Sequence, residues 1–145
     1  EWGEKYADTI HSIMSAELSI IQKDYDRAIL GEYAGQVLAR GWQEVDKFWI
    51  GLRSSFPSAQ FSINHQIGRE DKHMPPRAAL RWSLEGKHDG WGVFGKPTGA
   101  DVYIMGMAHA EYGVLVKGMP KVRKEYVLYD EVAIWKQILL KAGWE

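Results

Sequence analysis

Apolar positions change their period partway along this chain, and the change divides it into two kinds of structure. Tyr6, Ile10, Ile13, Met14, Leu18, Ile21, Tyr25 and Ile29 recur at helical spacing, which predicts one amphipathic helix within residues 6–30. Residues 34–39 form a short, weak strand candidate flanked by glycine. Val45, Phe48, Trp49, Leu52 and Phe56 predict a second helix over 42–56, stopped by Pro57. Beyond Pro57 the period becomes two: Phe61, Ile63, His65 and Ile67 alternate with Ser62, Asn64 and Gln66. Residues 68–76 are polar and contain Pro75-Pro76, so they read as a loop. Leu80, Trp82 and Leu84 then alternate with Arg81, Ser83 and Glu85. Residues 86–99 are glycine-rich and read as a connection or pocket-edge loop, followed by a long strand over 102–112. A turn over 113–120, a returning strand over 122–129 and a short helix over 131–142, ended by Gly143, complete the chain. Helices first and paired strands afterwards predict an α+β domain with the helices on one face of an antiparallel sheet.

Composition narrows the class. A chain of 145 residues suits a single domain with one core, here residues 1–145. The start at Glu1-Trp2-Gly3 reads like the end of a linker, so a domain cut from a longer or tandem-domain polypeptide is expected. The formal net charge of -1 and the lack of a basic run argue against a nucleic-acid partner or an anionic membrane. No apolar stretch is long enough to span a bilayer. With no cysteine, disulfides, thiolate catalysis and Cys-ligated zinc are excluded, and the absence fits a reducing cytoplasm. The histidines His11, His65, His73, His88 and His109 show no metal-ligand spacing, so no metal is expected. Neither a nucleotide-binding glycine loop nor a nucleophile elbow occurs.

Three segments carry a family resemblance. Residues 81–90 end a strand in Gly86-Lys87-His88-Asp89-Gly90, and residues 94–99 read Phe-Gly-Lys-Pro-Thr-Gly. Residues 124–131, with Glu125, Tyr126 and Asp130, lead into the last helix. This ordered set resembles the SnoaL-like polyketide cyclase family over roughly residues 13–140, although one proline of the Pro-Thr-Gly loop is missing or shifted. The resemblance implies a cone-shaped, curved antiparallel sheet packed against N-terminal helices, the nuclear transport factor 2-like (cystatin-like) α+β barrel. It also implies a homodimer or a tandem arrangement.

Within that resemblance Asp130 matches the general acid/base of an intramolecular aldol ring closure. Proton removal beside a carbonyl calls for a carboxylate in a partly dry pocket, where its pKa rises toward working pH. The alternative is an aspartate that caps the final helix. His109 is the second catalytic candidate, as a group that polarises a carbonyl or stabilises an enolate, against a hydrogen-bonded structural histidine. Glu111 shares the strand parity of His109. His88 matches the glycine-rich turn but serves equally to hold the loop. Arg81 is expected in a structural ion pair. Trp82, Trp91, Phe94, Tyr103, Met105, Met107, Tyr126 and Tyr129 are candidates to line an apolar cavity for a ring-rich ligand, or to fill a core.

The function expected is cofactor-independent acid/base chemistry on a hydrophobic, ring-rich ketone, an aldol cyclisation or an isomerisation. A non-catalytic ligand-binding or dimerisation domain of the same fold is the alternative, because such folds host both.

Overall fold

The computed structural model of the chain describes residues 1–17, 19–113 and 119–143. Leu18 and most of the turn expected over 113–120 lie outside the described residues. Helix α1 spans Trp2–Met14 and buries the stripe Tyr6, Ala7, Ile10 and Ile13. It ends where the chain turns through Ala16, whose φ is 64°. Instead of the single helix expected up to residue 30, a short helix α2 (Ile20–Asp24) leads directly into strand β1 (Tyr25–Tyr33). Tyr25 and Ile29 stand four apart, a spacing compatible with periods of 3.6 and of 2, and burial of Ile29, Gly31 and Tyr33 shows that period 2 prevails. Strand β2 is Val37–Arg40 and helix α3 is Gly41–Ser55, the latter burying Val45, Trp49 and Leu52 as the pattern predicts.

Strand β3 (Gln60–Asp71) and strand β4 (Met74–Lys87) form a long hairpin, so the segment read as a loop over 68–76 is mostly strand. The double proline sits beyond the last rung between β4 and its other neighbour, Arg77 opposite Glu111, where no ladder N–H is needed. Strands β5 (Asp101–Gly113) and β6 (Lys121–Tyr129) follow, then helix α4 (Glu131–Lys141). The six strands run in the order β2-β1-β6-β5-β4-β3 in one curved, unclosed sheet. Every pairing is antiparallel except β1 with β6, so the expected wholly antiparallel sheet is corrected at that one seam.

Helix α1 packs on β3 and β4, α3 on β1 and α4 on β5. The face toward the helices carries Leu80, Trp82 and Leu84 of β4 with Ile104, Ala108, Ala110 and Tyr112 of β5. The opposite face carries the odd-numbered residues of β5, from Tyr103 to Glu111, at least partly open to solvent. No described helix is long and apolar enough to cross a membrane.

One irregularity decides what faces inward on β6. Glu111 pairs with Lys124 and the next residue, Tyr112, pairs with Val122, so Arg123 is an extra residue on β6. The bulge turns Arg123 and Lys124 both outward, while Val122 and Glu125 both point into the core.

Candidate active site

A fully buried carboxylate lies at the centre of the domain. Glu125 has no solvent exposure, and both of its oxygens are held by donors from three separate elements. Tyr6 of α1 and Tyr25 of β1 donate their hydroxyls to Oε2 at 2.7 and 2.5 Å. Tyr33 of β1 donates to Oε1 at 2.8 Å, and the indole Nε1 of Trp49 on α3 donates to the same oxygen at 3.3 Å. Each donor is delivered by local structure: Tyr6 by the apolar stripe of α1, Tyr25 and Tyr33 from the same face of β1, Trp49 from the stripe of α3. A charge this deep is costly unless hydrogen-bonded, and here four donors converge on it.

Burial raises the pKa of Glu125 above the usual carboxylate value, and the hydrogen bonds from Tyr25, Tyr6, Tyr33 and Trp49 pull it part of the way back. The tyrosines respond in the complementary sense. Tyr6, Tyr25 and Tyr33 are all raised, first by burial and then by the neighbouring Glu125, so they remain protonated donors. Tyr112, at the edge of the same interior, is raised by burial and then by Asp24 and Glu125. Among the described residues its hydroxyl has no hydrogen-bond partner, and neither have the buried Nε1 of Trp82 and Nε2 of His88.

Aromatic rings lead outward from the carboxylate. Tyr33 stacks on Phe48 at 3.9 Å between centroids, and Phe48 meets Trp49 edge-on at 5.1 Å. Tyr129 stands 6.4 Å from Phe48 and 6.2 Å from Trp82, and Trp82 contacts Phe61 at 5.8 Å. Phe48, Phe61 and Tyr129 are only half-buried, so this row of rings reaches the surface. Burial, and then the charge of Glu131, pushes the Tyr129 hydroxyl up to about 12.

The residues expected to be catalytic are not brought together. Asp130 is exposed and is the N-cap of α4, its Oδ1 accepting from the Ala133 N–H at 3.0 Å. His109 sits on the outer face, 5.7 Å from the ring of Tyr126. It pairs across the ladder with Tyr126, four residues before Asp130, about 13 Å along the strand. Glu111, Met107 and Tyr126 share that outer face, and Met107 is 58% exposed. Trp91 is exposed. Phe94 is buried between Phe56 and Trp135, at 5.6 and 5.1 Å. His88 is buried and ties the glycine-rich loop: its Nδ1 lies 3.0 Å from the Thr98 hydroxyl, its N–H donates to the Ala100 carbonyl, and its carbonyl accepts from Thr98 and Gly99. Burial lowers its pKa. Arg81 is exposed and forms no ion pair among the described residues. Of the expected lining residues, Trp82 and Tyr129 join the interior ring row. Glu125 was visible in the family-like segment 124–131 but not as a site residue, and the tyrosines that hold it passed as core positions.

The chain is an α+β domain whose curved, unclosed sheet and helices enclose a single carboxylate. No family model matches the sequence, and no curated protein matches it. Solved structures do match. A candidate SnoaL-like polyketide cyclase from Jannaschia sp. CCS1 superposes with a TM-score of 0.71 at 14% identity, over 91% of this chain and 90% of the other. IdmH, a candidate polyketide cyclase from Streptomyces antibioticus, gives 0.67 at 15%, over 90% and 96%. AclR, a candidate hydroxylase from Streptomyces galilaeus, gives 0.69 at 19%, over 95% and 98%. At these identities the likeness is one of fold, and the chemistry must come from the site.

Proposed function

We propose that the protein binds a ring-rich ketone among the aromatic rings and performs acid/base chemistry with Glu125. The observation that carries this is one buried carboxylate held by three tyrosine hydroxyls. In its ionised form Glu125 takes a proton from the carbon next to a carbonyl. The electron pair moves onto the carbonyl oxygen, where a tyrosine hydroxyl or the free Tyr112 hydroxyl donates a hydrogen bond. The carbanion carbon then either attacks a second carbonyl, whose π electrons pass to its oxygen and take back the proton from Glu125 to leave a ring hydroxyl, or the enolate is reprotonated at another carbon by Glu125. The bond from Trp49 is the longest of the four, and the ligand displaces it first.

The test is turnover of a panel of cyclisable and isomerisable aryl ketones. Glu125→Gln is expected to lower kcat by about 10²–10⁴-fold. Asp130→Asn is expected to leave kcat within about twofold and to cost at most about 1 kcal/mol of stability through the weakened cap. The opposite ranking would return the catalytic role to Asp130. Because Glu125 acts as the base and its pKa is raised, kcat/KM should climb as pH rises through that raised value. The saturation of both Glu125 oxygens favours a second reading, a binding domain without turnover, and tight binding of an aryl ketone with no conversion would select it.

A homodimer, expected from the resemblance, is proposed as well. Tyr103, Met105, Met107 and Leu128 expose 52–65% of their area on the outer face, toward the α4 end of the sheet. This half of the face is proposed to pair with a second copy. Met105→Glu with Met107→Glu should then move the sedimentation coefficient to the monomer value, and an unchanged coefficient would reject the pairing.

A further inference from the structure

The other half of the outer face carries a different chemistry. Ladder pairings align one residue from each strand in a single transverse row: Arg40 opposite Leu30, Leu30 opposite Lys124, Lys124 opposite Glu111, Glu111 opposite Arg77, and Arg77 opposite Arg69. Directly opposed residues project from the same face. The β6 bulge adds Arg123 next to Lys124, so an extra cation joins the row where a regular strand would have turned it inward. A protein of net charge -1 thus concentrates five basic side chains against one acidic one along this line.

A groove of about 520 Å³ lies over the row, from Arg40 on β2 across β1, β6 and β5 to Pro75 at the start of β4. Ala28, Leu30 and Pro75 give it an apolar lining, Arg40, Arg123 and Lys124 give it positive charge, and Glu111 is the one acid in its lining. All three cations are exposed, and none is in an ion pair among the described residues. Arg77 and Arg69, by contrast, both pair with Asp71, at 3.1 and 3.5 Å. Neighbouring strands stand about 4.8 Å apart, so Arg40 and Lys124 rise about 10 Å apart on either side of Leu30. That gap lets two long cationic arms close on one oxyanion above an apolar floor.

We infer that this groove is a second binding site, for a small organic phosphate whose apolar body rests on Leu30 and whose phosphate is held by Arg40, Arg123 and Lys124. It is on the opposite face of the sheet from Glu125 and does not depend on that residue's role.

Phenyl phosphate is the probe, titrated calorimetrically against the full chain, with inorganic phosphate, phenol and phosphatidylserine vesicles as comparisons. Saturable binding of phenyl phosphate is expected, tighter than inorganic phosphate, with none for phenol. Affinity should fall steeply with added salt. Arg40→Gln, Arg123→Gln and Lys124→Gln together should weaken it about tenfold or more. Glu111→Gln, which removes the one acid from the groove lining, should tighten it about two- to fivefold. Glu125→Gln should leave it unchanged, so failure here and failure of the catalytic reading are separable. Binding that survives the triple substitution, a match between phenyl phosphate and inorganic phosphate, or binding to the vesicles with none to phenyl phosphate would each overturn the inference.

Discussion

Glu125→Ala is expected to remove about 3–5 kcal/mol of folding stability, a large share of the 5–15 kcal/mol typical of a domain. The substitution strands Tyr6, Tyr25 and Tyr33 hydroxyls and the Trp49 indole N–H in a dry interior, and an unsatisfied buried donor costs about 1–3 kcal/mol. The costs do not add fully, because hydroxyls left behind can bond to one another. Glu125→Gln keeps one acceptor oxygen and the volume, so about 1–2 kcal/mol is expected. Urea unfolding of the two variants measures the difference, and a Glu125→Ala variant within about 1 kcal/mol of the parent would show that the network is not a stabilising element.

The same carboxyl sets a pH dependence. Its folded pKa lies above 4.5, the ordinary value, so between the two values the folded state holds the proton and the unfolded state does not. Stability from this group is therefore fully present below the ordinary value and is lost as pH rises through the raised one. His88 works in the other direction: its lowered pKa makes the fold lose stability as pH falls through the ordinary histidine range. Replacing Glu125 by Gln should remove the first slope and leave the second.

Gly106→Ala is the other large effect. A Cβ at Gly106 would stand within 2.8 Å of three atoms of the six-membered ring of Trp82, which lies fully buried over that glycine on the neighbouring strand. Overpacking of this kind costs about 1–3 kcal/mol, here at the upper end because backbone meets a rigid ring. Trp82→Leu alone should cost about 2–4 kcal/mol as a cavity. In the double variant the new methyl occupies part of the vacated space, so the loss should be smaller than the sum by at least about 1 kcal/mol. Strict additivity in the urea series would mean that the glycine is not there to admit the indole.

These features were unequally legible in the sequence. The stripe of α3 and the alternation of β4 and β5 announce themselves, because each buries one face over many residues. The α+β layering follows from their order. The first helix was overextended because Tyr25 and Ile29 satisfy two periods at once. The inward position of Glu125 is hidden in the sequence for a related reason. Strict alternation from Val122 would place Tyr126 inside and Glu125 outside, and the single extra residue at Arg123 reverses both. Asp130 stands where a helix begins, and its capping role was open from the start. The tyrosine cage could not be read at all, since Tyr6, Tyr25, Tyr33 and Glu125 meet only through long-range packing, up to 119 positions apart.

The bulge has a consequence for how this strand tolerates change in length. Loss of one residue within 125–128 would exchange inner and outer faces for the rest of β6, and a strand interior normally forbids such deletions. Loss of Arg123 alone would not: Val122, Lys124 and Glu125 would then alternate in, out and in without interruption, as they do now with the extra residue between them. The chain therefore holds one point inside its sheet where an evolutionary or engineered single-codon deletion is compatible with the interior, and that point trims the outer groove without disturbing the carboxylate behind it.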